Sequence, residues 1–189
     1  LAGTAGLTKT TAGTVIMGPV VANTYSGPTT ISAGTFVVAA AGAIPSGSGK
    51  GNVTVDGALD LNGFSIGING LNGASSGHIS NGAAIAATLT AGNNAASGTF
   101  NGNIENGNGS VALTKTGAGI LTLGGTNTYS GATTVSQGTL RVNGEIAGSG
   151  LTLANGSTLS GTGVIKCPVT VNSGGTLSPG PGIGTLTIS

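Results

Sequence analysis

The sequence predicts an all-β protein, specifically a single-stranded parallel β-helix (β-solenoid). Short runs at 53–55, 121–123 and 169–171 alternate apolar residues with Thr, and this period of two in β-branched residues is typical of strands. Glycine supplies 39 of the 189 residues and falls between such runs, where it marks turns. The helix formers Glu, Lys, Arg, Gln and Met are nearly absent, so the composition does not favour helices.

Composition excludes several classes of protein and partner. Hydrophobic residues make up 38% and charged residues only 5%, with a mean hydropathy of +0.35, whereas a disordered chain has low hydrophobicity and high charge. The formal net charge of +1 comes from dispersed side chains, so we expect no nucleic acid partner. The longest apolar run, at 35–43, is about nine residues, so we expect no membrane insertion of this segment.

One long motif occurs twice. The stretch NTYSGATTVSQGTLRV at 127–142 repeats NTYSGPTTISAGTFVV at 23–38, and upstream LTKTGAG at 113–119 repeats LTKTTAG at 7–13. Two extra residues around 19–22 of the first copy account for the change in offset. Repetition of this length indicates that the chain is built from equivalent structural units.

A shorter period lies inside the long one. Val135, Leu153 and Val171 are spaced 18 residues apart, and glycines follow the same spacing. A unit of about 20 residues cannot bury its apolar face alone, so it must stack on its neighbours as a solenoid. At about 4.8 Å between stacked strands, the chain would make about nine coils and a rod about 45 Å long.

The coils divide into three stretches within one solenoid spanning 1–189. We expect the first repeat copy over 1–63, less regular coils with longer loops over 64–110, and the second copy with regular 18-residue coils over 111–189. No signal peptide is visible at Leu1, so we expect a mature product, a fragment or a cytosolic protein.

The segment LTKTGAGILTLGGTNTYSGATTVSQGTLRVNG at 113–144 resembles the autotransporter passenger-associated β-strand repeat of bacterial surface and secreted proteins. Residues 7–38 are similar to a second copy, and GGTLSPGPGIGTLTIS at the C-terminal end resembles the tail that follows such repeats. The resemblance implies a right-handed parallel β-helix that is extracellular or at the bacterial cell surface. It also implies that the repeat is non-catalytic and acts as a passenger or stalk segment.

Ten residues recur between the copies or mark their corners and form the predicted structural repeat motif. They are Lys9, Tyr25, Gly27, Gly34, Lys115, Gly117, Gly119, Tyr129, Gly131 and Gly138. We expect the two lysines to be solvated charges at corners that pair with a neighbouring coil. The two tyrosines are expected to pack onto the coil as turn aromatics, with a carbohydrate-stacking platform as the alternative.

Candidate catalytic groups are sparse, and we expect no catalytic residues, no cofactor and no metal. Asp56 and Asp60 could form a glycosidase pair, but no Arg, Lys or aromatic residue lies near them in sequence. Ser75 lies in a Gly-x-Ser-x-Gly pattern followed by His78, without the strand-to-helix setting that the pattern requires. A β-helix lyase or hydrolase is therefore disfavoured.

Cys167 is the one cysteine and cannot form a disulfide within the chain. We expect an inert, partly buried thiol; the alternative is an intermolecular contact or disulfide.

Two functions from different classes follow. The first is a non-catalytic extracellular structural solenoid that stacks axially on itself, or on the flanking chain of a larger protein, because neither end shows a polar or helical cap. The second is an adhesin module that binds a glycan or protein on a host or environmental surface through loops in 70–101.

Overall fold

The computed structural model describes residues 1–18, 20–180 and 184–189. Within these residues the chain forms 24 short strands and one 3₁₀ turn, Asn93–Ala95, and no α-helix. The described strands pair in parallel, as in Leu121 beside Leu140 and Leu140 beside Leu159. The all-β parallel β-solenoid is confirmed. Of the predicted segments, Pro19 in the inserted loop and residues 181–183 in the C-terminal tail lie outside the described residues.

The coils have three sides, each a stack of parallel strands. Side 1 consists of β1 (Leu7–Lys9), β3 (Thr29–Ile31), β5 (Val53–Val55), β8 (Leu71–Asn72), β11 (Gly98–Phe100), β14 (Ile120–Leu123), β17 (Thr139–Val142), β20 (Thr158–Gly161) and β23 (Thr176–Pro179). Its two sheets meet at a single bridge between Gly73 and Phe100. Side 1 therefore counts nine coils, as predicted from the chain length.

The other two sides are built in the same way. Side 2 consists of β2 (Thr14–Met17), β4 (Thr35–Val38), β6 (Ala58–Asp60), β9 (His78–Ser80), β12 (Asn103–Ile104), β15 (Thr126–Asn127), β18 (Glu145–Ile146), β21 (Val164–Ile165) and β24 (Thr187–Ile188). Side 3 consists of β7 (Ile66–Ile68), β10 (Ala87–Ala91), β13 (Val111–Lys115), β16 (Thr133–Val135), β19 (Leu151–Leu153) and β22 (Val169–Val171). The 18-residue period is the pairing register of Val135, Leu153 and Val171 on side 3.

The alternation of apolar residues and Thr decides which side chains face inward. In β10 and β13 burial alternates residue by residue, so Leu89 and Leu113 lie in the core while Thr90 and Thr114 face out. Inward side chains of successive coils stack into one continuous apolar core. Burying one such Leu contributes about 1.5–3 kcal/mol, which offsets part of the conformational entropy lost in ordering each coil.

The two repeat copies do not lie on the same sides. β1 carries the Leu-Thr-Lys of the first copy on side 1, whereas β13 carries that of the second copy on side 3. The next strand of the first copy, β2, lies on side 2, whereas its equivalent in the second copy, β14, lies on side 1. The offset between the copies is thus not a whole number of coils, and the second copy is turned by one side about the axis.

Many corners use positive φ angles or close backbone approaches that favour glycine. Gly138 adopts a φ of +70°, and an added Cβ would lie 2.5 Å from the carbonyl oxygen of Gly119 and closer still to that of Gly117. Gly156 adopts a similar φ of +74°, but nothing lies within 4 Å of the corresponding Cβ position. A substitution at Gly156 therefore tests backbone strain alone, whereas one at Gly138 tests backbone strain together with steric contact with the preceding coil.

We predict that Gly138→Ala destabilises the protein more than Gly156→Ala does. Both substitutions incur the left-handed backbone cost of about 1–2 kcal/mol, and Gly138→Ala adds an overpacking cost of about 1–3 kcal/mol. Chemical denaturation followed by circular dichroism measures both free energies of unfolding. Equal losses for the two variants would show that contact between coils at this corner contributes nothing.

Candidate functional site

Lys115 is buried at the corner between sides 3 and 1, with no exposed surface. Its Nζ donates to three backbone carbonyl oxygens, those of Thr116 at 2.6 Å, Gly117 at 2.7 Å and Gln137 at 3.2 Å. Gln137 belongs to the next coil, so the ammonium ties two corners together. Burial lowers the pKa of Lys115 to about 8.

The prediction that Lys115 is a solvated charge was wrong. The Lys115 side chain points inward, as Leu113 does in the same strand. The carbonyl oxygens that replace the water around its ammonium include that of Gln137, so the full set forms only when two coils stack. Lys9 is the equivalent residue of the first copy and is half-buried. Its Nζ donates to the carbonyl oxygens of Thr11 and, at 3.1 Å, Ala33.

Tyr129 and Tyr25 occupy equivalent buried positions, with 0% and 3% of their surface exposed. Each hydroxyl lies 2.6 Å from a threonine Oγ1, that of Thr133 or Thr29. Burial raises the pKa of both phenols. The rings pack inside the coil as turn aromatics, and the alternative of a carbohydrate-stacking platform is wrong because neither ring face reaches the surface.

Buried asparagines are corner residues that the sequence analysis did not single out. Asn127, with no exposed surface, accepts from the backbone N–H of Ile104 and donates to the carbonyls of Gly125 and Glu145. It thereby bonds to the coils before and after its own. Asn23 occupies the equivalent place and donates to the Ala43 carbonyl at 2.8 Å. The shared Asn-Thr-Tyr-Ser-Gly motif was the signal that could have identified both.

The six glycines of the predicted repeat motif all lie against the backbone of an adjacent coil. Gly34, Gly117 and Gly138 have positive φ, and all six leave less than 3.0 Å between an added Cβ and a neighbouring atom. The other three are Gly27, Gly119 and Gly131. Their place in the corners explains why the motif repeats glycine without implying a ligand.

The candidate catalytic groups serve as local structural contacts. Asp56 accepts from the backbone N–H of Ala74 at 2.7 Å, and Asp60 accepts from those of Asn62 and Gly82 at 2.8 and 2.7 Å. Both carboxylates therefore bond to the backbone of the next coil, and Asp60 also stabilises its own turn.

The Gly-x-Ser-x-Gly pattern has a packing explanation. An added Cβ on Gly73 or Gly77 would lie closest to the carbonyl oxygen of Val55 in the preceding coil, and 2.8 or 2.9 Å from the ring of Phe100 in the next coil. Both glycines therefore allow adjacent coils to approach closely. Ser75 between them is exposed. His78 pairs with Glu105, with 3.1 Å between Nε2 and Oε1.

Cys167 is more deeply buried than predicted, with 3% of its surface exposed in the core. Burial raises the pKa of the thiol, which disfavours the reactive thiolate. An intermolecular disulfide does not agree with this position, because the sulfur would have to leave the core to reach a second chain.

Shallow concavities lie at corners and on side 1 of the described part of the chain. One of roughly 350 Å³ is lined by residues 92–95, residues 116–118 and Gln137. A second, of roughly 330 Å³, lies between Asn72 and Arg141, and a third, of roughly 270 Å³, lies between Arg141 and Gly180. No group of three or more potential metal ligands occurs among the described residues. In the same residues no helix is long and apolar enough to cross a membrane.

A comparison with protein families matches two segments, 7–38 and 113–142, to the family described as Passenger-associated-transport-repeat. These are the two copies identified from the repeated motif, so that resemblance is confirmed for both. The family is generally non-catalytic, and its presence implies a segment of a secreted or surface protein. No curated protein and no solved structure matches the chain.

We predict that Lys115→Met lowers the free energy of unfolding at pH 7 by about 1–3 kcal/mol, because buried carbonyl oxygens lose their donor. Lys9→Met is the matched control at the equivalent, half-buried position, where water can replace the ammonium. Thermal or urea unfolding measures both. A Lys115→Met protein as stable as Lys9→Met would contradict the role of the carbonyl ring.

The same lysine predicts a pH dependence of stability. The unfolded chain holds the Lys115 proton up to about pH 10.5, whereas the folded protein releases it near pH 8. Between these values the unfolded state binds more protons, so Lys115 makes stability rise with pH. We expect the stability difference between wild type and Lys115→Met to increase from pH 7.5 to 9.5. A pH-independent difference would show that Lys115 keeps an ordinary pKa in the fold.

Proposed function

We propose that this protein is a non-catalytic structural rod of a bacterial surface or secreted protein. It carries two passenger-associated transport repeats in one β-solenoid. The observation that supports this most directly is the continuous core, which runs from Ile31 to Cys167 through the inner coils of the nine-coil stack. A rod that is hydrogen-bonded from coil to coil along three sides holds its two ends at a constant distance. That is what a passenger or stalk segment must do.

The chemistry of the side chains also supports a structural role. Asp56, Asp60, Glu105 and Glu145 are the four acids of the chain, and each has a structural contact. The tyrosine rings are buried in the coils. The polar groups that repeat from copy to copy are therefore used to hold corners together.

Axial stacking on another coil is the second part of the proposal. Val171, Leu177 and Ile188 continue the inward rows of Leu153, Leu159 and Ile165, yet each is more than 40% exposed in the last described coils. A further coil that covers them would bury apolar surface and pair the open strand edges. The covering coil belongs to flanking chain of the same protein or to a second copy that extends the rod into a filament.

The alternative function is an adhesin module that binds a glycan or protein through the 70–101 loops. It is supported by the concavity that residues 92–95 line, where Asn94 is exposed in a left-handed conformation. Asn94→Gly keeps that conformation and removes the side chain. Glycan-array binding that Asn94→Gly abolishes would favour this alternative over a purely structural role.

We predict that the purified chain forms rods about 45 Å long that associate end to end at micromolar concentration. Negative-stain electron microscopy measures the length and width of the particles, and reductant should not change them because Cys167 is buried. Leu177→Lys places a charge on the open core row and should abolish association. Ile85→Lys, at a lateral position that is 67% exposed, is the control and should leave it intact.

Two outcomes separate the parts of this proposal. Short rods that remain single in the wild type would overturn self-stacking and leave the rod itself. Compact or irregular particles would overturn the structural rod. Fibres that persist in Leu177→Lys but disappear in Ile85→Lys would show that association is lateral.

A further inference from the structure

Side 1 carries a cation without an anionic partner. Arg141 lies in β17, facing outward, and makes no salt bridge within 4.0 Å among the described residues. The two acids that form salt bridges do so elsewhere, Glu105 with His78 and Glu145 with Lys166. Asp56 and Asp60 accept backbone N–H groups in turns. The guanidinium is therefore available for an external anion.

A buried hydroxyl lies directly beside this cation. Ser160 pairs with Arg141 across β17 and β20, and only 8% of its surface is exposed. Its Oγ is buried and has no hydrogen-bond partner among the described residues. A buried polar atom left unpaired costs about 1–3 kcal/mol, so a native structure that retains one has a reason to do so. Ser160 and Arg141 line the same concavity, together with Ser178, Pro179 and Gly180.

The polar row continues along the axis on both sides of Arg141. Thr122 precedes it in register, and Ser160 and Ser178 follow, one residue for each coil. The neighbouring concavity is lined by Arg141, Thr122, Thr99 and Asn72. Hydroxyl or amide side chains on five coils, with Arg141 on a sixth, thus lie about 4.8 Å apart along the axis, a step comparable to the length of one pyranose unit.

We propose that side 1 is a binding site for a linear acidic polysaccharide, with Arg141 bound to a sugar carboxylate and Ser160 completing its hydrogen bonds. The guanidinium fork matches a carboxylate in two parallel hydrogen bonds. The hydroxyl row pairs with the sugar hydroxyls on either side of that carboxylate. A small free carboxylate would contact only Arg141 and Ser160, whereas a polysaccharide would also contact the other hydroxyl and amide side chains of the row. The row ends at Ser178, next to Leu177 of the stacking surface, but Ser160 and Arg141 lie one and two coils away from that end, and the site does not depend on the rod being a stalk.

The test is isothermal titration calorimetry with a β-1,4-linked mannuronate hexamer at low salt. The neutral mannose hexamer and acetate at equal carboxylate concentration are the comparison ligands. We expect the acidic hexamer to bind and both comparison ligands to bind at least tenfold more weakly. Arg141→Gln should weaken binding of the acidic hexamer about tenfold or more.

Ser160→Ala gives a readout that a merely structural residue would not. It removes an unpaired hydroxyl, so we expect it to weaken binding without lowering the unfolding temperature. Ser157→Ala is the matched control, because Ser157 is buried but donates to the Ala154 carbonyl at 2.8 Å. That variant should lose stability and keep its affinity. Lys166→Gln, which removes a cation remote from the row, should leave binding unchanged.

Four results would overturn the proposal. One is no binding of the acidic hexamer, and another is equal affinity for the neutral hexamer. The third is an affinity that Arg141→Gln leaves unchanged. Acetate bound as tightly as the hexamer would show a free-anion site and would equally overturn the polysaccharide assignment.

Discussion

Hydrogen bonding between successive coils is the interaction on which the rest of this structure depends. The described strands are two to five residues long and find their backbone partners in the coils before and after them. One coil alone would leave both strand edges open and its apolar residues in water. Stability is therefore a sum of contacts between neighbours, and each coil must follow closely the path of the one beneath it.

This constraint explains the polar groups found inside the protein. A corner interrupts the ladder and exposes carbonyl oxygens that a strand would have paired. Lys115 and Asn127 supply donors to such carbonyls, in each case reaching a neighbouring coil. Tyr129 satisfies its hydroxyl with Thr133 while its ring fills the core. The interior is thus apolar along the sides and polar where the chain turns.

Alternation and repetition made the fold predictable from sequence. The alternation of Val111 and Leu113 with Thr114 shows by itself which of these residues face inward. Chain length divided by about 20 residues per coil yields about nine coils. The environment of Lys115 was not predictable in this way, because the ring around it includes Gln137 of the following coil. The glycines around Ser75 resemble a catalytic pattern in sequence, whereas in the structure they make room for the Val55 carbonyl and the Phe100 ring of the two adjacent coils. That Arg141 lacks an acidic partner among the described residues could be recognised only from the structure, which shows the four acids in contact with other groups. Properties of one coil could be predicted, whereas properties created between coils required the structure.

The rotation of the second repeat copy by one side has a consequence for recognition. Two motifs of nearly the same sequence face directions about a third of a turn apart, so no flat surface can contact both at once. A receptor or antibody specific for the motif would engage the copies independently unless it curved around the rod. Bivalent capture would then depend on the reach of the partner's linker. In this geometry two nearly equal sequence motifs form two separate epitopes, not one epitope repeated on the same face.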